Sequence, residues 1–165
     1  MTVSGLAPGA YYFYVDSVYP PGDPAGEGRY TLSVTGTLGV PNNTSFFTVT
    51  PCRILDTRDP AGPFGGPALN AGATRVFTIA GQCNIPPSAK SVSVNVTVTQ
   101  PTAPGHLILF PGGTIPSVST INFGTGQTRA NNAIVPLSAS GTLSVADGQS
   151  SGTTHFILDV NGYFQ

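Results

Sequence analysis

Seven residues of this chain are the best equipped to bind or react: Arg53, Asp56, Arg58, Arg129, Asn131, Asn132 and Asp159. They stand out because only 8% of the sequence is charged. Two chemistries fit them. They could form a carbohydrate or carboxylate site, with Arg donating and Asp and Asn accepting. They could equally form an internal network that pins loops and strand ends, because buried charges need partners. The network is the simpler reading, and a structural polar network is the expectation.

Catalytic constellations are weaker. Serines are plentiful, but no strand-to-helix nucleophile elbow is expected in a chain without a convincing helical period. His155 and Asp159 lie four residues apart, which on a strand places them on one side but about 13 Å apart, beyond hydrogen-bond reach. His106 and His155 could meet across strands, yet two histidines without a clear third ligand make a poor zinc site. Asp56 and Asp59 could act as paired carboxylates, but with Arg53 and Arg58 beside them ion pairing is the simpler account. Asp159-Val160-Asn161-Gly162 has part of a calcium-loop pattern without its acidic spacing or terminal Glu, and reads as a strand ending in an Asn-Gly turn. No metal, cofactor or catalytic residue is expected. Cys52 and Cys83 favour a single disulfide in an oxidising compartment, the alternative being two buried thiols.

These residues must be positioned by strands. Alternation with period two dominates, and no helical period is convincing. In Ser91–Thr99, Val92, Val94, Val96 and Val98 point one way while Ser93, Asn95, Thr97 and Thr99 point the other. Tyr30–Thr35 and Thr142–Val145 repeat the pattern. Further strands are expected at 10–16, 46–50, 75–80, 106–110, 118–123, 133–137 and 153–160. Sixteen Pro and 21 Gly punctuate them, at breaks such as Pro20–Pro24, Pro111–Gly113, Asp147-Gly148 and Asn161-Gly162. The expected fold is all-β, an antiparallel β-sandwich of jelly-roll or Ig-like type with an N-terminal β-hairpin-like extension. A Pro/Gly-bearing stretch near 36–43 divides a partial β-segment, 1–38, from a disulfide-closed module, 39–165.

Composition narrows the partners. Six Lys and Arg against seven Asp and Glu give a formal net charge of −1. Nucleic acid and polybasic membrane contacts both need clustered Lys and Arg that the chain lacks. The longest apolar runs are strand-sized, so no membrane insertion is expected. The opening Met1–Gly5 has neither the basic segment nor the apolar block of a signal peptide, so the expectation is a secreted or cell-surface protein whose signal is not in this chain. There is no Trp to serve as a sugar platform. Tyr12 and Tyr14 share one face of strand 10–16 while Tyr11, Phe13 and Val15 share the other, which makes the two tyrosines a contact or ligand surface. Two strands alone are marginal in water, and a strand aromatic on both faces needs cover. Self-association through residues 1–36 is therefore expected above glycan binding.

Two resemblances accompany this reading. Residues 2–35, through Val3–Tyr12, Val15-Asp16 and Tyr30–Thr35, resemble the C-terminal half of the bacterial pre-peptidase C-terminal domain, a small β-sandwich of secreted proteins; the first half of that domain has no counterpart here. Residues 46–165 resemble a repeat-like module of secreted bacterial proteins. Its blocks here are Pro51-Cys52-Arg53-Ile54-Leu55-Asp56-Thr57-Arg58, Gln127–Ala133 and Ile157–Phe164, with Gly81–Pro86 supplying the second cysteine in the familiar position. The resemblance implies a structural or attachment role and no enzymatic activity. Together these observations point to a non-enzymatic subunit of a cell-surface or extracellular assembly, such as a fibre. The alternative is a carbohydrate-binding or targeting module of a larger secreted hydrolase.

Overall fold

The computed structural model describes residues 44–165. The expectations that fall on 1–43, including strands 10–16 and 30–35, Tyr12, Tyr14 and the division near 36–43, lie outside the described residues. Nine strands follow in order: β1 Phe46–Asp56, β2 Leu69–Asn70, β3 Thr74–Thr78, β4 Ser91–Thr99, β5 Gly105–Phe110, β6 Ile121–Phe123, β7 Arg129–Pro136, β8 Thr142–Asp147 and β9 Thr153–Phe164. No helix occurs among the described residues.

The strands pair into two antiparallel sheets. One runs β1-β9-β4-β7, with short β2 also on β9, and the other runs β3-β8-β5-β6. The first strand thus lies beside the last, and the chain crosses repeatedly between layers. Eight strands wound in this order form a jelly roll, whereas an Ig-like sandwich segregates its strands differently. The all-β sandwich is as the alternation demands, and the order of strands selects the jelly-roll form.

Period two explains the packing. Val92, Val94, Val96 and Val98 are fully buried and face the second sheet. Leu107 and Leu109 of β5 and Leu143 and Val145 of β8 meet them from the other side. Phe77 of β3 and Phe156 of β9 bridge the layers with ring centroids 6.0 Å apart. Cys52 and Cys83 form a disulfide with Cα atoms 5.9 Å apart. It ties β1 to the loop that carries the chain from one sheet to the other between β3 and β4.

The strand expected at 118–123 is confined to Ile121–Phe123, and three other boundaries depart further from the sequence reading, each for a physical reason. Strand β1 continues past Thr50 to Asp56 through register shifts at Thr48/Cys52 and Arg53/Leu55; the bulge absorbs Pro51, which cannot donate to a regular ladder. Strand β7 begins at Arg129 rather than Ala133, because Arg129–Asn132 pair with Asn95–Val98 although their side chains are polar. Asn161-Gly162 is not a turn. Strand β9 runs through it to Phe164, with a bulge where β4 shifts register between Ser93 and Val94. Gly162 is needed there because a side chain would run into the ring of Phe46 and the carbonyl of Phe47. Beyond the last ladder pair, Ser45 and Gln165 exchange two backbone hydrogen bonds, 2.8 and 3.1 Å, so the two ends of the described unit lie side by side.

Candidate functional site: a polar row and an interlayer seam

The pleat divides the seven polar residues into two groups. On the solvent face of the first sheet, register places Arg53 opposite Asp159, Asp159 opposite Asn95 and Asn95 opposite Asn132. A row Arg53–Asp159–Asn95–Asn132 therefore crosses all four main strands. Asn95 is a member that charge alone does not reveal; its signal is the one amide in a Ser/Thr strand face.

The charged end of this row is spent on itself. Arg53 Nε and Nη2 donate to the two Asp159 oxygens at 2.8 and 3.3 Å, a bidentate pair. Arg53 Nη1 also donates to Asp56 at 3.3 Å. Asp56 is buried and accepts from Arg58 three times, through the backbone N–H at 3.1 Å, Nε at 2.9 Å and Nη2 at 2.6 Å. Asp59 joins through its backbone, donating to the Asp56 carbonyl. The structure thus brings Arg53, Asp56, Arg58 and Asp159 together as an ion-pair network, and Asp56 and Asp59 do not form a carboxylate pair.

Asp56 supplies a testable pH dependence. The Arg58 side chain, aided by its backbone N–H and by Arg53, holds the Asp56 carboxyl down at about 2, against the desolvation that pushes it up. A carboxylate depressed by folding stabilises the native state above its unfolded value, and that stability is lost as pH falls towards the folded value. Asp56→Asn is expected to cost about 1–2 kcal/mol at pH 7, a figure discounted because both guanidiniums are half exposed. Urea denaturation should show the difference shrinking from pH 4 to pH 2. A difference constant over that window would contradict the assignment.

Arg129 and Asn131 point the other way. They sit opposite Val98 and Val96, on the inner face of β7, at the open seam where the edges of the two sheets approach. Asn131 Nδ2 donates to Thr120 O at 2.8 Å, and Arg129 Nη1 reaches Asn122 O at 3.5 Å. These side chains serve the edge carbonyls of β6 in place of a neighbouring strand. Along the same inner face Ala133 and Val135 continue into the core, so β7 grades from polar at the seam to apolar inside.

The histidines do not meet. His106 lies on β5 of the second sheet, its ring packed on Gly148, while His155 lies on β9 of the first, with Nδ1 3.1 Å from Thr57 Oγ1. Thr57, inside the Pro51–Arg58 block, is a buried organiser that a reading of charged groups passes over. Its hydroxyl accepts from the Phe156 N–H at 2.8 Å, and its own N–H donates to the Phe156 carbonyl at 3.0 Å. Asp147 and Gln149 are a second surprise. Asp147 accepts from the Gln149 N–H at 2.8 Å, yet its other oxygen and Gln149 Oε1 are buried without a hydrogen-bond partner. Burial pushes the Asp147 carboxyl up, opposed by the Gln149 N–H and by His106. Among the described residues no three His, Cys, Asp or Glu side chains gather as a metal site.

Two shallow concavities flank the first sheet. One, of about 200 Å³, lies in the seam beside Arg129 and Asn131. The other, of about 340 Å³, lies between Arg53 and the loop bearing Asp59 and Phe64.

No family model matches the chain, and no curated protein matches it. Among solved structures, the Tobacco streak virus coat protein dimer aligns at 12% identity with a TM-score of 0.36, covering 75% of this chain and 90% of that one. The same coat protein in a C2 crystal form aligns at 12% identity and a TM-score of 0.36, covering 76% and 90%. At that distance the likeness says nothing about function.

Proposed function

We propose that the chain is a non-enzymatic structural or attachment protein of the bacterial cell surface or extracellular space, which self-associates through residues 1–36. The observation that supports this most is the expenditure of Arg53, Asp56, Arg58 and Asp159 on one another. Groups locked in mutual ion pairs hold loops and strand ends, and are poorly placed to carry out proton transfer. The disulfide suits an oxidising, extracellular setting, and the resemblance to secreted surface modules points the same way.

Size-exclusion chromatography and electron microscopy test the assembly directly. The full chain should form oligomers or filaments, and deletion of residues 1–37 should leave monomers. A full chain that is strictly monomeric, and unchanged by the deletion, would overturn the proposal.

The carbohydrate-binding reading retains one observation in its favour. Unlike Arg53 and Arg58, Arg129 has no carboxylate partner among the described residues.

A further inference from the structure

The seam between β6 and β7 holds groups that the fold leaves uncommitted. Among the described residues Arg129 makes one long hydrogen bond, from Nη1 to Asn122 O at 3.5 Å, and the remaining N–H groups of its fork have no acceptor there. Asn131 donates its Nδ2 to Thr120 O. A carbonyl can only accept, which fixes the amide orientation and leaves Asn131 Oδ1 as an acceptor. Both side chains line a notch of about 200 Å³ together with Thr120, Ile121, Asn122 and Ala130. That is smaller than the roughly 300 Å³ at which ordinary small-molecule clefts begin, so the notch suits one chemical group of a larger ligand.

The chemistry of the pair is specific. A guanidinium fork matches a carboxylate in a planar, bidentate way. An amide oxygen beside it matches a hydroxyl donor. A ligand carrying a carboxylate next to hydroxyls satisfies both, a neutral sugar leaves the guanidinium unmatched, and a simple anion leaves Asn131 Oδ1 unmatched.

We propose that the β6–β7 seam binds a uronic acid residue of an acidic polysaccharide, Arg129 taking the carboxylate and Asn131 Oδ1 an adjacent hydroxyl. This rests on the carbohydrate-binding reading and is independent of assembly through residues 1–36. Because the notch is open and its charge partly screened, one contact is weak and polymer binding relies on repetition along the chain.

Affinity electrophoresis of the full chain tests it, using gels that contain polygalacturonate, fully methyl-esterified pectin, or dextran sulfate. Polygalacturonate should retard the protein, and the esterified and sulfated polymers should do so far less. Arg129→Gln should weaken retardation about tenfold, the scale of one charge-assisted pair. Asn131→Asp, which sets a competing carboxylate beside Arg129, should weaken it similarly. Lys90→Gln, which removes the same charge elsewhere on the surface, should leave it unchanged, with circular dichroism confirming that each variant is folded. Equal retardation by dextran sulfate, or equal loss in Lys90→Gln, would mean general attraction to polyanions and overturn the proposal. Retardation by esterified pectin that ignores Arg129→Gln would overturn this site while leaving the carbohydrate reading standing. No retardation by polygalacturonate would overturn the site.

Discussion

Phe156→Ala is expected to cost about 3–5 kcal/mol of folding stability, the range for removing a large buried aromatic. Phe156 is fully buried on β9, a strand flanked by β1 and β4. Its ring meets Phe77 across the layers, so the truncation opens a void that touches both sheets at once. Little can collapse into it, because the backbone N–H and C=O of Phe156 are held by Thr57. For a unit of this size the loss corresponds to about 10–20 °C in Tm. Thermal denaturation should be run beside Ile134→Ala, whose side chain is 63% exposed and should change stability by less than about 0.5 kcal/mol. Comparable losses in the two variants would contradict the packing described above.

Replacing both cysteines by serine should cost about 3 kcal/mol. A bridge across a sequence separation of 31 residues restricts the unfolded chain by roughly 3–4 kcal/mol on the loop-entropy model. Some of that is returned by the native state. Cys83 and its neighbour Asn84 both adopt left-handed backbone conformations, at φ 49° and 62°. Such conformations are costly for residues other than glycine, and without the bridge the loop is free to relax. The loss should therefore be uneven. Hydrogen exchange should quicken most in residues 79–90 and in β1, and least in β4. A loss below about 1 kcal/mol, or uniform quickening across both sheets, would show that the bridge is ornamental.

Much of the fold is legible in the sequence because its signal is local. The alternating valines define strand β4 to the residue, and the ends of β3 and β5 fall within two residues of expectation. What escapes a sequence reading depends on partners distant along the chain. The strand expected from Ala133 reaches back to Arg129 only once β4 is laid beside Arg129–Asn132. Asn161-Gly162 looks like a turn until Phe46 is seen to need the space above Gly162. The same holds for the polar residues. Their mutual pairing is expected from the scarcity of charge, whereas the division between a spent group on one face and Arg129 with Asn131 at the seam follows from pleat and register. Arg75, which reaches the carbonyls of Pro67 and Gly65, is invisible for a similar reason: a loop-binding arginine on a strand carries no motif.

The pairing of Ser45 with Gln165 has a mechanical consequence. Tension applied between residues 44 and 165 loads the open end of the β1–β9 ladder, so its hydrogen bonds break in succession rather than sharing the load. Strand β9 is also held by β4, which leaves β1 to peel first. Peeling can run only from Phe46 to Cys52, because the covalent link to Cys83 stops it there. At about 3.4 Å per residue that frees roughly 20 Å of chain. Such an element stretches softly over a short distance, recoils when the pull is released, and then holds hard, in the manner of a tethered spring with a fixed stop.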